Sequence, residues 1–406
     1  MTTRTLEPAT PQDVRLKPSA LAAIDARLQG YVDAGQLAGA VTLVARHGKV
    51  VHKSAMGKKD LATGEPLADD TMFRIFSMTK PVTGVAMMIL HDEGKWSPDD
   101  PIERHLPEFA GVKVFAGLDG AGAMTLEDPH HPPTLRELLT HTAGLSYGFQ
   151  PDDPVDKLYQ GAKVLGSDSL AQMASKLAAL PLAYQPGSKW QYSLSMDLQG
   201  SIIERLSGQS LPDFMRTRIF EPLGMVDTAF HTPPEKKSRL ASLNRWTKEK
   251  GLHTVSNPML RDYDAPPPLA SGGGGLVSTA ADYARFAQML LNGGELGGVR
   301  IVSPEALKLQ MSNHLSDALI NGGYGVGLQQ IRPGYGHGFD GAVFIDPAAA
   351  GVPVGVGTYQ WDGAAGTWFW VDPANDLLYV GLIQLFSENS RPFQKITQTM
   401  MAAAFV

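Results

Sequence analysis

The side chains best placed for chemistry lie in Phe76-Ser77-Met78-Thr79-Lys80, a Ser-x-x-Lys that opens a helical run through Val82 and Val85 to Leu90. Residues three apart on a helix share a face, with Cβ atoms about 5–6 Å apart. If Ser77 sits at the N-terminal edge of that helix, its hydroxyl and the Lys80 amine can share a hydrogen bond. Pro81 agrees with this placement, because proline is tolerated in a first turn and damaging in a helix interior. A serine hydroxyl needs a base to become a nucleophile. A lysine with an ordinary pKa of about 10.4 must be desolvated or paired before it can serve as that base. The helix N-terminus also presents free N–H groups to a developing oxyanion. Read in isolation, the same four residues describe a capped helix start with a solvated lysine.

Two further segments could complete such a site. Tyr192-Ser193-Leu194 follows the turn Gln185-Pro186-Gly187-Ser188, and its phenol could relay protons with Lys80. Trp361-Asp362-Gly363 precedes a β segment interrupted by glycine, where backbone can approach a ligand closely. A competing serine stands in Gly144-Leu145-Ser146-Tyr147-Gly148, which matches the Gly-x-Ser-x-Gly elbow. That motif requires a strand before it and a helix after it. Here Thr134 to His141 has helical spacing and Phe149 to Pro154 reads as loop, and no histidine lies beyond His337 to complete a Ser, acid, His order. Ser146 is therefore expected to be a turn residue. The Gly272 to Gly275 run lacks the Lys-Ser/Thr ending of a phosphate loop and reads as flexible or close-packed backbone. His130-His131 and Asp152-Asp153 lack metal-ligand spacing and read as solvated loop, so no metal and no cofactor are expected. Met87-Met88 reads as core filler.

The elements that must position these residues come from a chain of 406 residues, 43% hydrophobic and 19% charged, the composition of a core-forming protein. Thirty-five basic against 41 acidic side chains give a net charge of −6, with no pull towards nucleic acid or an anionic membrane. Zero cysteines exclude disulfides, thiolate metal sites and a cysteine nucleophile. The N-terminus has no apolar signal core, and no stretch approaches the ~20 apolar residues that span a bilayer, so a soluble, cytoplasmic protein is expected. Leu21, Ile24, Leu28 and Val32 predict an amphipathic first helix with Ser19 as N-cap. Ala40–Ala45 and Val50–Ala55 predict a hairpin around Arg46-His47-Gly48-Lys49, and Thr367–Val371 with Leu377–Leu382 predict a second one. A closing helix is expected from Phe393 to Phe405. Between these ends, 82–91, 134–139, 170–180, 198–206, 211–220 and 280–291 read as helices. This order predicts a discontinuous α/β domain, residues 1–90 and 265–406, interrupted by a mainly helical one, 91–264.

Taken in order, Ser77-Met78-Thr79-Lys80, Leu138-Leu139-Thr140-His141-Thr142-Ala143-Gly144-Leu145, Tyr192-Ser193-Leu194, Gly272 to Val277 and Trp361-Asp362-Gly363 resemble the class C β-lactamase and penicillin-binding superfamily, most closely its family VIII carboxylesterase branch. The likeness runs from about Leu21 to the C-terminus. It implies a β-lactamase/transpeptidase-like α/β fold, an antiparallel sheet flanked by terminal helices plus an α-rich inserted domain, with the site in the cleft between them. It also implies Ser77 as acylated nucleophile, Lys80 and Tyr192 as acid/base pair, and backbone N–H groups of Ser77 and Ala364 as oxyanion hole. Trp361 and Gly363 would line the substrate site. Leu194 stands where the lactamase pattern has Asn, and Trp361 where it has a Lys. Both departures favour neutral, short-chain carboxylic esters as small-molecule substrates over β-lactams or D-amino-acid peptides. Acyl transfer to an alcohol stays open on the same scaffold, and a non-catalytic binding protein is disfavoured because Lys80 and Tyr192 are both kept.

Overall fold

The two hairpins read from the sequence form the middle of one sheet. Gly39–Arg46 pairs antiparallel with Lys49–Gly57, and the turn between them places His47 and Gly48 at φ 54° and 72°. Two consecutive positive φ angles are what a two-residue type I′ turn demands. Trp368–Asp372 pairs with Leu377–Leu382, whose other edge pairs with Gly39–Arg46, so the two ends of the chain meet in the sheet centre. Glu7–Pro8, Lys49–Gly57, Gly39–Arg46, Leu377–Leu382, Trp368–Asp372, Tyr359–Asp362, Ala342–Phe344 and Tyr335–His337 follow one another across the eight strands. The computed structural model describes residues 6–256, 263–322, 325–326, 329–331, 333–387 and 392–406.

Alternation along the strands separates two cores. Ala40, Val44, Trp368, Trp370 and Tyr379 face the terminal helices Pro18–Asp33 and Phe393–Ala402. Val41, Leu43, Ala45, Phe369, Val371 and Val380 face the other way, into the main core with helices Thr79–Asp92 and Ala280–Leu291. Both sheet faces are covered, which is why these strands carry so few polar residues.

Several boundaries differ from expectation. The first helix begins at Pro18 with Lys17 as its N-cap, so Ser19 lies inside the first turn, where proline is the favoured opener. Helix Phe393–Ala402 stops short of Phe405, which bridges to Leu16 instead. Part of the polar leader is an edge strand, Glu7–Pro8 running parallel to Lys49–Val50; Met1 to Thr5 lie outside the described residues. The stretch 211–220 is helix only to Met215, then a widened π turn over Arg216–Phe220 ahead of Pro222. Proline offers no N–H and crowds the carbonyl four residues back.

The middle of the chain supplies helices Leu135–Leu139, Pro154–Ala162, Leu170–Ala178 and Ser195–Ser207. It also contains two hairpins that the sequence did not announce. Val114–Leu118 pairs with Met124–Glu127, and Asn244–Thr247 pairs with Gly251–Thr254 and lies parallel to Leu385–Ser387. Among the described residues, no helix is long and apolar enough to cross a membrane.

Candidate active site

Ser77 lies in a single 3-10 turn, Phe76–Met78, that runs directly into helix Thr79–Asp92. Every residue of that helix from Thr79 to Leu90 is buried, as its apolar circumference requires. Gly84 is needed there, because a Cβ would come within 2.7 Å of Gln310 Nε2 and 2.9 Å of Asp340 Oδ2. Phe76, just before the serine, sits at φ 44°, a left-handed conformation uncommon for an aromatic residue. Its ring packs edge-on against Phe386 and into a small cluster with Leu243 and Ala365, contacts that hold the strained backbone beside Ser77.

The Ser-x-x-Lys spacing delivers the predicted contact: Lys80 Nζ is 3.0 Å from Ser77 Oγ. The same ammonium group reaches Tyr147 OH at 3.0 Å and the Gly273 carbonyl at 2.6 Å. Three acceptors match its three N–H groups. Tyr192 OH donates to Ser77 Oγ at 2.7 Å, so the hydroxyl is flanked by a lysine and a phenol. The Tyr192 and Tyr147 rings lie 4.7 and 5.4 Å from Lys80 Nζ, close enough for cation–π attraction in a side chain that has no solvent exposure. Ser77 itself is only partly covered.

The glycine run explains how backbone comes so close to a buried lysine. Thr83 Oγ1 donates to Gly272 O at 2.7 Å, Leu276 N donates to Thr79 Oγ1, and Lys80 grips Gly273, so one face of helix Thr79–Asp92 is tied to the loop three times. A Cβ on Gly273 would stand 2.5 Å from Asp197 Oδ2 and 3.0 Å from the Tyr147 hydroxyl. Asp197 comes from helix Ser195–Ser207, which starts immediately after Tyr192-Ser193-Leu194. Its Oδ1 accepts from Ser271 Oγ at 2.5 Å and Gly273 N at 3.3 Å. Burial raises the Asp197 carboxyl, and the Lys80 charge pulls the other way. Burial also pushes the Tyr147 phenol well above its ordinary value, with the neighbouring Tyr192 and Asp197 adding to the effect. Tyr147 is thereby kept as a neutral phenol.

Behind Tyr192 stands a ring of buried aromatic side chains. Its ring centroid is 4.9 Å from that of His141 and 5.9 Å from that of Trp361; His337 lies 5.6 Å from His141 and 5.5 Å from Trp361. The backbone N–H of Ser193 donates to His141 Nδ1, and His337 Nδ1 donates to Gly338 O. Burial holds both imidazoles neutral, lowering His337 to about 4.

The remaining anticipated residues divide between the site and its surroundings. Trp361 is buried, and Gly363 is pressed against the entry to Ser77: a Cβ there would stand 2.4 Å from Ile75 O and 2.2 Å from Thr367 Oγ1. Ala364 is exposed on the turn that follows, while Ala365 packs on Phe76. Ser146 lies beside the site, next in chain to Tyr147, preceded by helix and followed by loop. Its hydroxyl donates to Asp156 and accepts from Gln191 Nε2 at 3.0 Å, and it is almost wholly buried. Asp153 caps helix Pro154–Ala162, His131 lies 3.4 Å from Glu137, and Met87 and Met88 fill the core. Sequence reasoning missed Tyr147 and the Gly273 carbonyl as partners of Lys80, and Asp197 as the carboxyl behind Gly273. The only local signal was the glycine run, which read as flexible or close-packed backbone without saying what would pack on it.

Comparison with known proteins places this arrangement. Residues 24–403 match the family model described as Beta-lactamase. Protein Rv1367c of Mycobacterium tuberculosis is 39% identical, with 88% of each chain covered. Esterase EstB of Burkholderia gladioli is 32% identical, with 92% of each covered. The solved structure of EstCE1, described as a hydrolase with promiscuous acyltransferase activity, superimposes with a TM-score of 0.77 at 28% identity, covering 95% of this chain and 98% of its own.

Proposed function

The chain belongs to the beta-lactamase family, and from that premise we propose how it works as a serine carboxylic ester hydrolase: Ser77 is the acylated nucleophile, and Lys80 with Tyr192 moves its proton. The observation that carries this reading is the bracketing of Ser77 Oγ by Lys80 Nζ at 3.0 Å and Tyr192 OH at 2.7 Å. In the reactive form the pair holds one proton fewer, so that as Oγ attacks the ester carbonyl its proton passes to the vacant position on the pair and the carbonyl oxygen becomes an oxyanion. The backbone N–H groups of Ser77 and Ala364 receive that oxyanion, in keeping with the close packing of Gly363 on Ile75 and of Ala365 on Phe76. The pair then returns the proton to the departing alkoxide, which leaves as the alcohol. Water enters, gives a proton to the same pair and releases the acid, restoring Ser77. Lys80 and Tyr192 both contact one oxygen, so they act as a unit.

Leu194 and Trp361 stand where the lactamase pattern has an amide and a cation. They leave the cleft without those two polar contacts, which favours short-chain neutral esters. Transfer to an alcohol in place of water uses the same acyl-enzyme, and EstCE1, described with acyltransferase activity, favours it as a second outlet. The test is to quench the enzyme during turnover of p-nitrophenyl butyrate and map the label by mass spectrometry. One butyryl group on Ser77 is the expected result; steady turnover with the label on Ser146, or with none, would overturn the proposal.

A further inference from the structure

A cavity of about 170 Å³ lies against the back of the catalytic cluster. It is partly open to solvent, and Tyr147, Tyr159, Val164, Leu165 and Leu194 line it together with Gln160, Lys163 and Gly166. Tyr159, Val164 and Leu194 are almost wholly buried, so its floor is apolar. Two of its walls belong to the site itself. Tyr147 holds Lys80 through its hydroxyl, and Leu194 is two residues beyond Tyr192, with its backbone N–H on Ser146 O. On the solvent side Phe149, 48% exposed, stacks flat on Tyr147 with centroids 4.7 Å apart. An exposed aromatic platform thus adjoins the wall that the cavity shares with the cluster.

Resting on the esterase reading, we propose that this cavity is a substrate subsite that takes one apolar arm of the ester, up to about six carbons. A cavity of about 150 Å³ with apolar walls is large enough for benzene, and drug-sized ligands need roughly 300 Å³ or more. The volume therefore admits a short, branched or aromatic hydrocarbon group and not a whole large substrate. Leu194 is decisive for this chemistry, because a polar side chain at that position would put a hydrogen-bonding group in the wall. The arm can belong to the acyl or to the alcohol half, and two substrate series separate these sources.

The experiment measures kcat/KM for p-nitrophenyl esters with acyl chains from acetate to decanoate, and for alkyl butyrates from methyl to octyl. In the series that uses the cavity, kcat/KM should rise about threefold per methylene, as each added methylene is buried, up to about six carbons and then stop rising. In Val164→Phe, which fills the floor, the ratio of six-carbon to two-carbon kcat/KM should fall at least tenfold. Leu165→Phe, at a less buried position, makes the same test if the first variant does not fold. Benzene binding to Ser77→Ala, followed by calorimetry and abolished by Val164→Phe, reads the cavity without any turnover. If Ser77 proves not to be the nucleophile, that binding still stands and only the link to substrate falls. Flat profiles in both series with normal Ser77-dependent turnover, or equal losses on short and long esters, would overturn the subsite and leave the esterase reading intact.

Discussion

Ser77 and Ser146 both sit in short motifs that advertise a nucleophile, and their surroundings are opposite. Ser77 Oγ is met by a buried cation and a phenol, on a partly open surface beside a helix N-terminus. Ser146 Oγ is turned inward onto Asp156, whose other oxygen accepts from Gln150 N at 2.8 Å. One hydroxyl has partners that can exchange protons and space for a carbonyl to approach. The other is a structural strut that closes the loop ahead of helix Pro154–Ala162. The difference teaches that a nucleophile is recognised by what stands within 3 Å of its oxygen and by access, not by the pattern of its neighbours in sequence.

The largest expected effect tests that contrast directly. Ser77→Ala should lower kcat/KM for p-nitrophenyl butyrate by about 10⁴-fold or more, while Ser146→Ala stays within about threefold in rate and loses about 1–3 kcal/mol of stability, because a buried carboxylate is left short of a donor. A reversal of the two rates would break the comparison. Next, Lys80→Ala and Tyr192→Phe should each cost about 10³-fold, within the usual range for acid/base groups. The double variant should be barely worse than either, since they act on one proton; losses that multiply would show two independent roles.

A smaller effect is expected from Asp197→Asn, which replaces the buried carboxyl that faces Lys80 across Gly273. We expect kcat to fall about tenfold, with KM and the unfolding temperature nearly unchanged. An unchanged kcat would reduce Asp197 to a loop anchor. The smallest effect concerns the scaffold behind Tyr192. His337 has a folded pKa of about 4, below the ordinary 6.5, because burial disfavours its charge. Its contribution to stability is therefore full above about pH 6.5 and is lost as pH falls towards 4, about 3 kcal/mol at the limit. His337→Gln should flatten the decline of the unfolding temperature between pH 6.5 and 4.5. Parallel curves for the two proteins would exclude this imidazole as a source of acid lability.

By itself the sequence determined what local geometry controls. A three-residue spacing and a proline in the first turn offered the Ser77–Lys80 contact, since residues so spaced share one helical face, and the other motifs in order raised it above a capped helix start. Two β-rich runs around a short glycine-containing turn were enough for the first hairpin, and turn residues for the second. The hairpins at 114–127 and 244–254 escaped because their strands are short and half exposed, and the exit of the 211–220 helix escaped because Pro222 acts on carbonyls before it.

Only the tertiary structure decided which further residues reach the Lys80 amine. Tyr147 and Gly273 come from two different segments, and a side chain's partner across such separations depends on how whole elements pack, which no short-range periodicity encodes. The same holds for Ser146: its motif is intact in the sequence, and only folding brings the Asp156 carboxylate against its hydroxyl.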